Sequence, residues 1–520
     1  MKKILIYNFS GEIDDISCLF PNDRLAQIAS TINSAGFQAE IWDKTNLSTI
    51  SEWGKSNMEK LGHLNYNESF PFYDEYIKKE AFSIAEKKFD LVLLNLWQGS
   101  GFKFSLDLAR KLNNINPYIQ IIGIGQKVDW FSEKILNVIP ELDGIIIGLE
   151  HNTATLLASN TPFEKIPNLI FKKDGKIINN SRQVVDPNSI SIADYSENKY
   201  SEISYKIPLY EISLSNQACP NNCTFCVRPG NYGKKIIKRD IKSAVSEMSE
   251  LIREKKARVF RMGDSTPPRL SLTEFAQEFI NQKLNSDKIH ISSFSRIDIN
   301  REEDFSLLRK AGIESLFFGV ESLCDESLKR MKKGTSYEKI KETIKRAHSE
   351  GIFTVGSFIF PFPEETEKSM NITLDRINEM KEYLDSVLIL PGGVYPVTEW
   401  GQNPEKYGIH LDRDYVEKMV LYPIKYLIPM ELWPDFPFSY KLFEKSAEDV
   451  SYKDILNANR YFTETVRKKI GIPGIPDYYY TLARALNQNH FEFTKDTVKA
   501  LSNRDYAYFE KIRNQLTGLK

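Results

Sequence analysis

Cys219-Pro220-Asn221-Asn222-Cys223-Thr224-Phe225-Cys226 puts three cysteines in eight positions, a C-x3-C-x2-C spacing. The whole chain of 520 residues has five cysteines, and the other two, Cys18 and Cys324, lie far away in sequence. Three thiolates on one tight loop can face one iron–sulfur cube. A cube has four irons, so three cysteines leave one iron open to a small chelating cofactor. A zinc site normally takes four ligands, and no histidine lies between His151 and His290 to supply the fourth. Zinc, another metal or plain structural thiols remain the alternatives to a [4Fe–4S] cluster at this point.

Outward from the loop, residues 210–400 repeat a strand–helix unit. Expected strands are 211–214, 258–262, 289–294, 315–318, 352–358 and 386–390, apolar runs separated by amphipathic stretches. Ile241, Ala244, Val245, Met248, Leu251 and Ile252 share one helical face. Ser271-Leu272-Thr273-Glu274 reads as a capping box. Six βα units predict a partial (β/α)6 TIM-like barrel with its site at the carboxyl ends of the strands.

The segment from Ser215 to Cys226, with aromatic Phe225 before the third cysteine, resembles the cluster loop of radical S-adenosylmethionine (SAM) enzymes. The resemblance extends over about 200–390. It implies that the SAM amino and carboxylate groups chelate the open iron, and that one electron from the cluster releases a 5′-deoxyadenosyl radical. Phe225 belongs to the SAM-binding pattern. Gly263, Asp264, Ser265 and Thr266 stand where the family holds the SAM amino group. Ser295 and Arg296 end the third strand, with Arg296 facing the SAM carboxylate. Glu321, in Gly319-Val320-Glu321-Ser322, bonds the ribose or amino group, and Lys332-Lys333-Gly334-Thr335 follows its helix. Phe358 and Ile359 wall the adenine, Leu390 ends the sixth strand near the pocket, and Tyr395 is the candidate catalytic residue.

Residues 1–160 alternate strands and helices and read as a doubly wound, Rossmann-like parallel sheet, with strands apolar on both faces. Such a domain ahead of the barrel is similar to the cobalamin-binding domain of one radical SAM class. The likeness lies in 21–29, 89–92, Gly123-Ile124-Gly125 and 143–150. It implies that Trp97, Gly99, Ser100, Gly123, Gly125, Gln126, Gly148 and Glu150 line a cobalamin site. Trp97 would cover the lower corrin face, because no D-x-H-x-x-G signature supplies a histidine. Gly125-Gln126-Lys127-Val128 and Leu149 depart from the family's usual runs.

Residues 161–209 read as a linker with a short β-hairpin at Asp174-Gly175. Residues 401–520 read as a mostly helical C-terminal cap that shapes the substrate site. It is rich in aromatics: Tyr415, Tyr422, Tyr426, Trp433, Phe436, Phe438 and Tyr440. Lys plus Arg is 69 against 70 Asp plus Glu, a net charge of −1, which argues against a nucleic-acid partner. Few cysteines suit a reducing compartment, and no apolar run reaches the ~18 residues of a membrane span. The expectation is a cytoplasmic, cobalamin-dependent radical SAM enzyme, foremost a C-methyltransferase on a small molecule or peptide. It would draw electrons from a one-electron reductant such as flavodoxin or ferredoxin. Non-methylating radical chemistry is the runner-up, and an iron–sulfur electron-transfer protein without catalysis is the rival of another class.

Overall fold

The structure is a computed structural model that describes residues 2–65, 67–286, 288–421 and 435–518. It divides into two compact units. The first comprises Met1–Ile207, Val416–Pro423 and Ala500–Arg513, and the second Pro208–Tyr415, Ile424–Lys499 and Asn514–Lys520.

The first unit is built on strands β1 (Lys3–Asn8), β2 (Gln38–Asp43), β3 (Leu91–Asn95), β4 (Gln120–Ile124), β5 (Gly144–Ile146), β6 (Leu169–Lys173) and β7 (Lys176–Asn179). Their order is β2-β1-β3-β4-β5-β6-β7. The first five run parallel, and β6 and β7 are antiparallel additions. All five residues of β3 are buried, as a central strand covered on both faces requires. Because the chain turns back between β1 and β3, the topological switch point opens at their carboxyl ends.

The second unit carries β8 (Leu209–Ile212), β9 (Val259–Met262), β10 (His290–Ser295), β11 (Ile313–Glu321), β12 (Phe353–Ile359) and β13 (Ser386–Leu390). They lie in chain order and all run parallel. Helices follow the strands, among them Ile241–Lys255, Ser271–Asn281, Tyr337–Ser349 and Glu367–Glu379. The helix Asp477–Ala485 closes the amino-terminal end of this partial barrel. Its Tyr480 stacks on Phe353 at the start of β12, ring centroids 4.2 Å apart. Ser386, at the start of β13, accepts from the Ile475 amide just ahead of it. That plug leaves the carboxyl ends as the open mouth.

Three sequence expectations change. The segment 161–209 is no free linker, because its hairpin β6–β7 extends the first sheet and residues to 207 belong to that unit. The segment 401–520 is not one separate cap. Residues 416–423 and 500–513 join the first unit, where Arg504 pairs with Glu12 at 2.6 Å. The helix at Ser271 has no capping box. The helix already starts at Ser271, so the Glu274 amide that such a box would engage bonds the Leu270 carbonyl, the Ser271 hydroxyl bonds the Pro268 carbonyl, and Glu303 on a neighbouring turn takes the Thr273 amide. Tyr422, Tyr426 and Trp433 lie outside the described residues. No helix among the described residues is long and apolar enough to cross a membrane.

Candidate functional site

The cysteine loop leaves β8 and is braced along its length. On its amino-terminal side Asp264, wholly buried just past β9, accepts from the Leu214 amide and from the Ser215 hydroxyl, the latter at 2.5 Å. Gln217 takes a positive φ of 62° and donates to Ser213 at 3.1 Å. The Cys219 amide donates to Gly233 O at 3.1 Å. Midway, Asn221 donates to Asp298 at 2.6 Å. On the far side the Thr224 amide donates to Met331 O and the Trp400 amide to Thr224 O, both at 3.1 Å. Phe225 packs on Trp400 with centroids 5.9 Å apart.

Burial pushes the Cys223 thiol up to about 11 and raises Cys226, while the charges of Lys333 and Arg296 favour the Cys223 thiolate. Two cations facing buried thiols suit a donor set that must be anionic when it binds metal. The Thr224 and Ser295 hydroxyls are buried without a hydrogen-bond partner. Among the described residues no three His, Cys, Asp or Glu side chains converge as ligands of one ion. A cube takes one thiolate per iron, so its ligands stand farther apart than those of a single ion. Three cysteines on one rigid loop, with no fourth ligand, fit an open-iron [4Fe–4S] cluster.

Glu321 ends β11 at a register irregularity, with φ 68° in the left-handed region. It accepts from Lys333 at 2.7 Å in a buried pair, and the Lys333 ammonium stands 5.9 Å from the Phe225 ring. A Cβ on Gly319 would come 2.9 Å from Glu321 Oε1 and 3.0 Å from Lys333 Nζ, so the pair lies close over the Gly319 backbone.

The other expected SAM contacts divide. Gly263, Ser265 and Leu390 are partly open at the strand ends, and Thr266 is buried. Asp264 is turned into the cysteine loop and is a brace for it. Burial lifts its carboxyl to about 6 against the pull of its hydrogen bonds. Arg296 gives Nε and Nη2 to Asp298, each at 3.1 Å, so one edge of its fork is spent on the residue that also holds Asn221. Phe358 and Ile359, the expected adenine wall, differ in burial. Phe358 lies in the interior. It is 1% exposed and turned toward Gly356, while strand alternation leaves Ser357 and Ile359 partly open. Tyr395 is half-buried after β13, its ring against Gly393 and its carbonyl accepting from Thr398.

Two residues went unnoticed as site groups in the sequence. Lys333 is one; its signal was the Lys-Lys-Gly run after the fourth unit's helix. Glu211 is the other, a lone acid in an apolar strand. A Cβ on Gly263 would lie 3.4 Å from its Oε2. Desolvation raises its pKa, against the nearby Arg261, which forms a two-bond pair with Asp477 at 2.9 Å.

In the first unit, the expected cobalamin residues cluster at the carboxyl ends of β3, β4 and β5. At the switch point Trp97 donates to Asn8 Oδ1 at 2.8 Å, Asn95 donates to the same oxygen at 2.7 Å, and Asn8 donates to Asp43 at 2.6 Å. Lys206 pairs with Asp43 at 3.0 Å beneath them. Trp97 remains half-exposed, Gln126 is exposed, and the Ser10 hydroxyl after β1 is buried with no partner. These polar groups fit an amide-rimmed ligand such as a corrin. Glu150 is engaged otherwise: it is wholly buried and spent on Arg24 and on the Gly125 amide at 3.0 Å. The Gly148 amide donates to Asp129 at 2.8 Å, and Gly123 packs on Ile145 and Leu96. The Gly99 amide donates to Val420 O at 2.7 Å, and Ser100 accepts from the Glu12 amide at 2.9 Å. Of the expected set, Gln126 is exposed and Trp97 and Ser100 are partly open, Ser100 with its hydroxyl engaged by the Glu12 amide. Removal from water brings Lys127, next to Gln126, down to about 7.

With this geometry in view, the comparisons with known proteins converge. Residues 214–377 match the radical SAM superfamily model. A protein of Methanocaldococcus jannaschii named as a methylthiotransferase is 25% identical over 60% of this chain and 69% of its own length. The bacteriochlorophyllide d C-12(1)-methyltransferase of Chlorobaculum tepidum is 25% identical over 64% of this chain and 74% of its own. Among solved structures, the radical SAM methyltransferase TsrM from Kitasatospora setae superposes with a TM-score of 0.68. It covers 96% of this chain and 100% of its own at 14% identity, a likeness of fold. The family match is confined to the second unit, over the cysteine loop and the strands β9 to β12. The fold, a doubly wound sheet ahead of a parallel barrel in the sequence, is like that of TsrM.

Proposed function

We propose that this protein is a cobalamin-dependent radical SAM enzyme that methylates an unactivated carbon of a small molecule or peptide. The observation that carries the reading is the braced loop of Cys219, Cys223 and Cys226 at the open mouth of a six-stranded parallel barrel. The doubly wound sheet in the same chain supplies the second half of the argument. Methyltransferase names among the relatives support it, as does the TsrM structure, whose description includes cobalamin and a [4Fe–4S] cluster.

When bound, the cluster with SAM supplies hydrogen abstraction from carbon, and cobalamin supplies the methyl carrier. The chain's own residues position and shield. The three cysteines hold three irons. Lys333 and Arg296 offset the thiolate charge, and Glu321 and the free edge of Arg296 orient SAM. Trp97 and Gln126 meet the corrin. Tyr395 and Glu211 are the candidates for substrate contact at the barrel mouth and in its lumen. The chemistry suits an oxygen-poor, reducing compartment, the cytoplasm, and an external one-electron reductant.

The test is anaerobic reconstitution with iron, sulfide, cobalamin and SAM carrying a deuterated methyl group. Candidate substrates are then screened by mass. The reading predicts a product bearing the label on carbon, and none when cobalamin is omitted. A rearranged or cyclised product without label would contradict it.

A further inference from the structure

From Ile212 to Arg239 the sequence contains no Asp or Glu, but five basic residues: Arg228, Lys234, Lys235, Lys238 and Arg239. In a chain with 69 basic and 70 acidic residues this is a local exception. It coincides with the cysteine loop and the strap that follows it. The strap folds back onto the loop through the backbone. Gly233 O accepts from the Cys219 amide at 3.1 Å, and Ile237 O accepts from the Asn216 amide at 3.2 Å. Asn216 also donates to Lys235 O at 3.0 Å, and Leu214 O accepts from the Arg239 amide at 2.8 Å.

Two of the five cations are neutralised within the fold. Arg239 is buried against Glu247 at 2.6 Å, and Lys238 pairs with Glu274 at 2.5 Å. Lys234 and Lys235 are exposed, and neither forms an ion pair among the described residues. Arg228 meets the neutral Gln217 at 2.9 Å and the Tyr232 ring. Beside them Pro220 and Asn222 expose the outer side of the loop. The excess positive charge therefore sits on a surface one hydrogen bond from the backbone of a cysteine ligand.

We propose that this strap is the docking surface for an acidic one-electron carrier protein. Lys234, Lys235 and Arg228 attract the partner's carboxylates and bring its redox centre to the loop side of the cluster. One electron then passes from the reduced carrier to the cluster, leaving the carrier oxidised by one electron. A steering field of opposite sign to the partner's charge raises association rates and is screened by salt. The proposal rests on the reading that the three cysteines hold a reducible cluster.

The experiment compares the reconstituted full chain with the double variant Lys234→Glu, Lys235→Glu. Each is mixed with an acidic flavodoxin in its hydroquinone form, and cluster reduction is followed by rapid-mixing absorbance. Binding of oxidised flavodoxin is measured by calorimetry, and photoreduced deazaflavin serves as the small reductant. The charge reversal is expected to slow flavodoxin reduction ~10-fold or more at low ionic strength and to flatten its salt dependence. Iron content and reduction by deazaflavin stay unchanged. The milder Lys234→Ala, Lys235→Ala pair moves the rate in the same direction. Equal rates with a normal cluster, or a wild-type chain reduced by deazaflavin and not by flavodoxin, overturn the docking surface alone. A wild-type chain that takes up no iron overturns the cluster reading, and the docking surface with it.

Discussion

At the carboxyl end of β3, Gln98 and Gly99 spend their polar groups on the backbone of residues 419 and 420, and Ser100 bonds the Glu12 amide. At the carboxyl end of β8, Ser215 and Gln217 also spend theirs inside the fold, but on bracing a loop whose three cysteines form no disulfide among the described residues. Five strands of the first sheet and all six of the second run parallel, and both sheets present loops at the carboxyl ends of those strands. The barrel concentrates its chemistry in one short segment and surrounds it with supports. The doubly wound sheet distributes its site over several loops, most of whose polar atoms are internally satisfied. The barrel is accordingly expected to fail sharply when a thiol is lost, and the sheet to fail by degrees.

The largest effect separates the two regions outright. Cys226→Ala removes one of three iron ligands and is expected to abolish SAM cleavage, with iron content falling in parallel. Cobalamin retention by the first unit, measured by absorbance after desalting, stays. A variant that keeps both iron and cleavage would break the contrast.

Next comes the buried pair beside the loop. Lys333→Met leaves Glu321 charged and uncompensated, which costs about 3–5 kcal/mol. Denaturant unfolding would show it, and adding Glu321→Leu should return much of the loss. Asp264 gives a pH-dependent counterpart. Its pKa is raised from 3.8 in the unfolded chain to about 6. The folded state therefore holds the proton more tightly. From this group alone stability rises as pH falls from about 6 to about 3.8, by about 3 kcal/mol. Asp264→Asn should erase that part of the profile in the difference between the two unfolding curves, and an unchanged slope would refute it.

The smallest effect is in the first unit. A Cβ on Gly101 would meet Ser10 O at 2.5 Å, backbone against backbone. Gly101→Ala is expected to cost about 1–3 kcal/mol and to weaken cobalamin retention without touching the iron content of the barrel. Loss of iron in that variant would show that the two regions do not fail separately.

Local patterns carried most of the architecture. The strand 386–390 appears with its expected bounds, and the other five barrel strands begin and end within a few residues of expectation. The cysteine loop was legible because its ligands are close in sequence. What was hidden depends on groups distant in sequence. Lys333 meets Glu321 only when the helix after β11 folds back, and Glu303 takes the Thr273 amide in the first turn of the helix at Ser271 from 30 residues away. Of the pair expected at the adenine, strand alternation buries Phe358 and leaves Ile359 partly open, a difference that adjacent apolar residues do not show in sequence. Asp264 and Glu150 carry the right chemistry for a ligand, but burial commits them to the fold.

The central claim is a [4Fe–4S] cluster held by Cys219, Cys223 and Cys226, whose fourth, open iron takes SAM. Its most direct test is the electron paramagnetic resonance spectrum of the reconstituted, reduced protein with and without SAM. The account predicts a [4Fe–4S] signal that changes when SAM is added and disappears in Cys226→Ala. A signal identical in both conditions would contradict it.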